Sequence, residues 1–527
     1  MSEQSGLSTN DAVLEALSRI LPDGAFVRRG ESAEIETSEG NIADIAGTLT
    51  AHGYSLAGIV VDWKDAGWTC RYPFYGSTHP GFIQLLFHGM EGEPIPSISQ
   101  YVFSADWHER EVEDLFEIPF VDHPLLGDFV LHNEAWPEGI APMRPGFSAN
   151  DTRPPQGPRS WRPQRFVEAP GAFSMSVGPV YSGIAESAQF RLESEGEQIV
   201  HGTSRLFYKY RGLEKLVEGR SLDDTLLLAE RMNGTAAVAH ALALAQSAEE
   251  IGCVAPPPRA QALRVVFAEL ERLRAHASTV EDLVESTGLQ VPTAMLSSVV
   301  EDLLRVSATA SGHRYLFGLI RPGGVAADLG AEAAVAVSGG VREAAGRLQK
   351  VMDVLAYDNG FLDRVEEVGV LSAAQALRFG VVGPVGRASG LGKDLRAVHP
   401  YSGYEHCDVQ VAHAEEGDAY ARARVLVEEA AESARIIAKV LHDLPPGPVQ
   451  AQWQPQEGSA IGWSEAPVGA AFHWLSLSAD GTVSRWHAMP PSFANWPALA
   501  TAIEGFAFQD FPIILASFGL SVAEADR

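Results

Sequence analysis

The chain has 527 residues, 46% hydrophobic and 20% charged. That is the balance of a folded protein, and the length exceeds what one ordinary core serves, so at least two domains are expected. A formal charge of −29 repels phosphate backbones and anionic headgroups, which argues against nucleic acid or a charged bilayer surface as direct partners.

The chain opens without a basic segment leading into an apolar run, so no signal peptide is expected, and no stretch reaches the roughly 18 apolar residues of a membrane span. Val13, Leu14, Leu17 and Ile20 share one face of a predicted helix over 10–20, with Asn10 placed to cap it. The apolar runs at 58–63, 82–88 and 99–105, separated by Gly and Pro, read as strands. Residues 1–147 are therefore expected to form a small α+β domain. Residues 148–170 form a Pro-rich linker, with four prolines inside 148–168.

From 171 to 527 a larger, mainly helical domain is expected, with a small β-sheet at its start: 188–202 reads as two strands around Gly196. Leu263, Val266, Phe267, Leu270 and Leu273 form one helical stripe. Leu426, Ala430, Ala434, Ile437 and Leu441 form another, which the prolines from Pro445 onward end. The Ala- and Glu-rich tract 326–348 has helix composition. The fold class is thus α+β. The three cysteines, Cys70, Cys253 and Cys407, are far apart with no C-x-x-C. They argue against a disulfide framework, cannot supply the four thiolates of an iron–sulfur cluster, and read as small buried residues.

Two ordered sets of motifs carry a resemblance. The first is WHEREVEDLFEIPFVDHPLL at 107–126. It is similar to the signature of the C subunit of respiratory complex I, matched at Glu109, Arg110, Glu111, Asp114, Leu115, Phe116, His123 and Pro124, with Glu113 where Tyr is usual and Glu117 where Gly is usual. The resemblance implies ion-pair or interface roles for these charges, and no chemistry. The second set runs from VGP (177–179) through RLFYKYRGLEKL (205–216), ERMNGTAAVAH (230–240), AELERLRAH (268–276), GPVGRASGLGKDLRAVHPYSGY (383–404), EAPVG (465–469), FANWPAL (493–499) and FQDFPIILASF (508–518). It resembles the family shared by complex I D subunits and the large subunits of membrane-bound nickel–iron hydrogenases, and FYKYRGLEKL and FANWPAL lean toward the formate-hydrogenlyase type.

The family's metal-binding cysteines do not carry over. They correspond to Asn233 and Ala236 in the first motif and to Ser521 and Glu524 near the C-terminus, and the arginine over the open metal position corresponds to Val468. Amide, methyl, hydroxyl and carboxylate cannot replace four thiolates around nickel and iron, so no metal is expected in this chain. The quinone-binding tyrosine of complex I corresponds to Gly234, and its histidine falls in a loop, 180–186, that here holds Tyr181 and no histidine. The resemblance also points to Glu214, a glutamate credited with proton transfer in the family. Without a metal its simpler reading is an ion pair with a nearby cation. Glu214 and Tyr181 are therefore the catalytic candidates, and Tyr181, Asn233, Gly234, Ala236, Phe518 and Ser521 the expected lining of any retained cavity. Collapse of that cavity, with Phe518, Met232 or Leu520 as filler, is the alternative.

His240 reads as a satisfied core histidine, and Arg387, Asp394, Arg396 and His399 as residues forming buried pairs between subunits. The resemblance implies a subunit of a membrane-bound complex-I-like or energy-converting-hydrogenase-related oxidoreductase, peripheral on the cytoplasmic face of the membrane. It would have no cofactor of its own. Its expected partners are a B-type iron–sulfur small subunit and a ferredoxin-like subunit, which would hold the iron–sulfur clusters, and antiporter-like membrane subunits. Two alternatives stand: an active subunit reducing quinone or another acceptor in the remodelled cavity, and a structural scaffold.

Overall fold

A computed structural model describes residues 13, 15–17, 20–21, 26–29, 32–64, 67–77, 79–137, 139–148, 165–180 and 186–527. The chain forms two compact units, Met1–Gln164 and Arg165–Arg527. Helices and strands are both abundant, with a sheet-rich N-terminal region and a mainly helical remainder, so the α+β class holds.

The first unit is built on a mixed sheet of β1 (Phe26–Arg29), β2 (Ser32–Glu36), β3 (Tyr54–Leu56), β4 (Val60–Lys64), β5 (Gly67–Gly76) and β6 (Phe82–Met90). The order is β1-β2-β6-β5-β3, with β4 also on β5; β2 and β6 run parallel and the other pairs antiparallel. Trp68, Cys70, Tyr72 and Phe74 alternate into the core from β5, the period-2 pattern of a strand with one covered face. Helix α1 (Ile42–Ala51) buries Ile42, Ile45, Ala46 and Leu49, one stripe at helical spacing. Val13 and Leu17 of the predicted first helix are buried; Asn10 and Leu14 lie outside the described residues.

The strand expected at 99–105 is not one. Tyr101 and Val102 both donate to Ile98 O, and a short 3₁₀ turn at Phe103–Ala105 leads into α2 (Asp106–Phe116). Ile98, Val102 and Ala105 are the buried apolar residues here, spaced for a turn rather than a strand. Glu117, where the family uses Gly, follows α2 at φ 56°, the left-handed position that ends many helices and favours glycine.

The second unit opens with a three-stranded antiparallel sheet of β7 (Phe173–Val177), β8 (Gln189–Glu195) and β9 (Gln198–Arg205), ordered β9-β8-β7. Five long helices follow: α3 (Ala237–Ile251), α4 (Pro258–Ser286), α5 (Gln290–Ser311), α6 (Ala331–Leu355) and α7 (Ala419–His442). Both predicted stripes are buried faces, on α4 and α7, except that Leu441 at the end of α7 is only half-buried. A second antiparallel sheet, β10 (Gly458–Ala466), β11 (Gly469–Leu477) and β12 (Val483–Met489), lies against α3, with β11 buried along its whole length. The approach is close: a Cβ at Gly462 would stand 2.0 Å from Ala243 O and 2.8 Å from Ser247 N. The chain closes with α8 (Pro491–Ile503), α9 (Phe511–Phe518) and α10 (Val522–Ala525).

Two further sequence expectations need correction. Cys253 is exposed, just after α3, whereas Cys70 and Cys407 are buried. The charged loop residues, expected to pair between subunits, pair inside this unit. Arg387 binds Glu429 (2.6 Å) and Glu465 (2.8 Å), Arg396 binds Asp394 (2.6 Å) and Glu269 (3.1 Å), and His276 meets Glu429 at 2.9 Å. Burial opposes ionisation of Glu269, yet Arg396 and Arg272 hold its carboxyl down to about 2. Such motif charges therefore fix α4, α7 and the intervening loops to one another.

Candidate functional site

The ERMNG turn, Glu230–Gly234, lies between a helix at Leu222–Ala229 and the start of α3. Arg211 fastens it to the C-terminal segment: its Nη1 donates to Arg231 O (2.9 Å), its Nη2 to Met232 O (3.0 Å) and to Ala523 O, and its Nε to Asp526 O (3.2 Å). Two side chains on opposite elements then meet. His240 Nε2, one turn into α3, is hydrogen-bonded to Glu524 Oε1 of α10 at 2.8 Å, with both groups fully buried. His240 Nδ1 lies 3.0 Å from His473 Nε2 on β11, and Trp486 Nε1 of β12 donates to His473 Nδ1 at 3.0 Å. The other oxygen of Glu524 accepts from Ser492 N at 3.0 Å. Burial works against ionisation of Glu524, but the His240 bond and the Ser492 donors lower its pKa overall; burial and the neighbouring His240 push His473 well below its usual range.

Ser521 caps α10 by accepting from Glu524 N (3.2 Å), and its hydroxyl donates to Glu186 (3.0 Å), which also accepts from Val522 N and Ala523 N (2.9 Å). Ala236 is fully buried in a small cluster with Ala239, Ala466 and Ala471. Asn233 Oδ1 accepts from Thr235 N (3.0 Å) and Thr235 Oγ1 (2.8 Å). Gly234 is exposed and Met232 is buried. Phe518 is buried beneath the Arg422 guanidinium, 4.6 Å from its ring centre. Tyr181 lies outside the described residues. Val468 is at the tight β10–β11 turn, its carbonyl packed against Gly383.

Glu214 stands beside this cluster, fully buried and fully engaged. It takes Arg485 Nη2 (3.2 Å), His487 Nδ1 (3.0 Å), Ala488 N (3.1 Å) and Arg527 Nε (3.0 Å). Burial alone would raise its pKa, but His487, Arg527 and Arg485 together hold the carboxyl far below the usual carboxylate range. It is a fixed anion, in keeping with the ion-pair reading. Its partners come from β12 and the C-terminal segment, some 270 or more residues away, and the sequence contains no periodic signal that joins them. The motif comparison presents Glu524 only as a lost ligand; its length, which lets it reach His240, is the feature that could flag the bridge. Glu271 of α4 accepts from Val238 N (2.7 Å) and Ala239 N (2.9 Å) at the start of α3. Burial pushes it up to about 7, against the pull of Arg274 and the two N–H donors.

The fold and this junction define a two-part subunit, a small sheet domain followed by a helical domain whose first motif turn is locked to its C-terminal segment. Comparison with known proteins gives the same division. Residues 35–153 match the 30 kDa subunit of respiratory-chain NADH dehydrogenase, and residues 287–457 and 449–527 match its 49 kDa subunit. The chain belongs to the family of fused 30 kDa/49 kDa-type subunits shared by complex I and related hydrogenases. It is 30% identical over 440 residues to formate hydrogenlyase subunit 5 of Escherichia coli, covering 82% of this chain and 77% of the relative. It is 28% identical to hydrogenase-4 component G of Escherichia coli (83% and 76% covered). It is 26% identical to the fused C/D subunit of NADH-quinone oxidoreductase from Bdellovibrio bacteriovorus (86% and 87% covered).

Proposed function

We propose that this chain is a peripheral-arm subunit of a membrane-bound complex-I-like or hydrogenase-related oxidoreductase complex, and that it works there without a nickel–iron centre of its own. No described helix is long and apolar enough to cross a membrane, so attachment runs through partners: an iron–sulfur small subunit, a ferredoxin-like subunit and antiporter-like membrane subunits, on the cytoplasmic face. Electron transfer stays in the cluster-bearing partners, and this chain couples it, or the conformational change it drives, to ion translocation.

The observation that carries the second half of the proposal is the chemistry of the donor set. Where the family places four thiolates, the side chains are Asn233, Ala236, Ser521 and Glu524. The methyl group of Ala236 donates nothing. Ser521 is spent on Glu186 and on capping α10, Glu524 on His240 and Ser492, and the Asn233 oxygen on Thr235. Soft anionic sulfur, which nickel and low-spin iron require, is missing from the set. The residues do not fit the metal.

The test is purification of the tagged chain from its native membrane, followed by elemental analysis and identification of co-purifying subunits. The expected result is a complex containing iron–sulfur and membrane subunits, with nickel far below stoichiometric. About one nickel per chain would overturn the metal-free reading, and isolation of the chain without partners would overturn the assembly reading.

A further inference from the structure

Arg274 of α4 reaches the ERMNG turn from below. Its Nη2 donates to Gly234 O at 3.0 Å, and its guanidinium lies 5.2 Å from the centre of the Tyr315 ring. It is only 4% exposed, yet among the described residues its Nε–H has no hydrogen-bond partner and no carboxylate forms an ion pair with it. Glu271, one turn back on the same helix, attracts it through space but spends its oxygens on Val238 N and Ala239 N. The similarly buried Arg264, Arg387 and Arg396 each face a carboxylate.

Asn233 adjoins the carbonyl that Arg274 grips and is 7% exposed. Its Oδ1 accepts from Thr235 N, a group that can only donate, so the amide orientation is fixed. Its Nδ2 has no partner among the described residues. Two buried donors at one turn, one of them cationic, are therefore unspent. Leaving such a group unsatisfied is unfavourable, and more so when it is charged. A Cβ built on Gly234 would meet nothing within 4 Å, and Tyr315 is 40% exposed, so the turn opens to solvent.

We propose that the Arg231–Ala236 turn and Arg274 form a binding site for a small planar oxyanion, a carboxylate whose oxygens take the Asn233 amide and the Arg274 Nε–H. An anion fits better than a neutral carbonyl because it gives a buried guanidinium the direct charged partner that a peptide oxygen and a ring do not supply. This assignment rests on the two unspent donors and is independent of the assembly proposed above.

The experiment uses the full chain in its purified complex. Thermal unfolding and calorimetric titration are followed with sodium acetate, and with acetamide and sodium chloride at matched ionic strength. Acetate is expected to give a saturable rise in Tm that acetamide and chloride do not. Asn233→Asp keeps the acceptor for Thr235 and places a carboxylate beside Arg274, so it should raise Tm without acetate and abolish the acetate response. Arg274→Met should also abolish that response; should this variant fail to fold, Asn233→Asp decides. Equal responses to acetate and chloride, or a full acetate response in either variant, would overturn the site.

Discussion

Glu109 shows how a motif residue can be legible in place and not in state. Its carboxylate is fully buried, accepting from Ser97 Oγ (2.5 Å) and Ile98 N (2.7 Å). Burial pushes its pKa up to about 8, against those two donors. A carboxyl raised this far holds its proton in the folded chain while the unfolded one has lost it. Its stabilising contribution is therefore full below about pH 4.5 and declines as pH rises toward 8. Glu109→Gln preserves both bonds, with its oxygen toward Ile98 and its amide toward Ser97. The wild-type-minus-variant difference in unfolding free energy should fall across that window; a flat difference from pH 5 to 8 would contradict it. Glu214 has the opposite sign. Its depressed pKa gives a contribution present above the usual carboxylate range and lost as pH falls below it. Glu214→Gln strips the charge from between Arg485 and Arg527 and should cost about 3 kcal/mol or more, read as a lower denaturant midpoint at unchanged slope.

At the scale of elements, the stripes on α4 and α7 are readable because long helices repeat their pattern over many turns. The 99–105 segment misleads because seven apolar-rich residues are too few to separate a strand from a turn. The packing of β10 on α3 is not readable at all, since it depends on one missing side chain. Gly462 brings strand backbone against helix backbone, and a methyl group there overlaps Ala243 O and Ser247 N. Gly462→Ala should part the two elements and cost about 3 kcal/mol or more, the upper end of ordinary overpacking. A variant with wild-type Tm would mean that α3 can shift without penalty. The same reasoning explains why the motifs are legible and the junction is not. The ERMNG turn and the C-terminal segment are each recognisable locally, but the Glu524–His240 bridge spans 284 residues and stands where the family's resemblance implies a contact through metal.

For the whole molecule, the pattern match carries furthest. Division into 30 kDa-like and 49 kDa-like parts follows from ordered motifs, and the relatives bear out that family. What the sequence does not convey is that the motif charges are satisfied within the chain. Arg387, Arg396, Glu269 and Glu429 are already paired, so partner binding must draw on other groups. An acidic surface of net charge −29 favours basic faces on those partners, and association should weaken as salt rises. Co-purification of the partner subunits is thus expected to fall between about 0.1 and 1 M salt, where the screening length shrinks from ~10 to ~3 Å; salt-insensitive recovery would point to apolar interfaces instead.

The buried chain from Trp486 to Glu524 has a direction. An indole N–H can only donate, so His473 Nδ1 is the acceptor, and the neutral ring must hold its hydrogen on Nε2. That hydrogen points at His240 Nδ1, which fixes His240 with its own hydrogen on Nε2, facing the Glu524 carboxylate. Every tautomer is set by the ring at the far end. For a proton to hop along this line, each imidazole would have to reverse its tautomer, and the last reversal would place an N–H against the indole N–H. The line is a dead end for conduction, an insulator at the heart of the helical unit, and any proton that crosses this subunit must travel by another route.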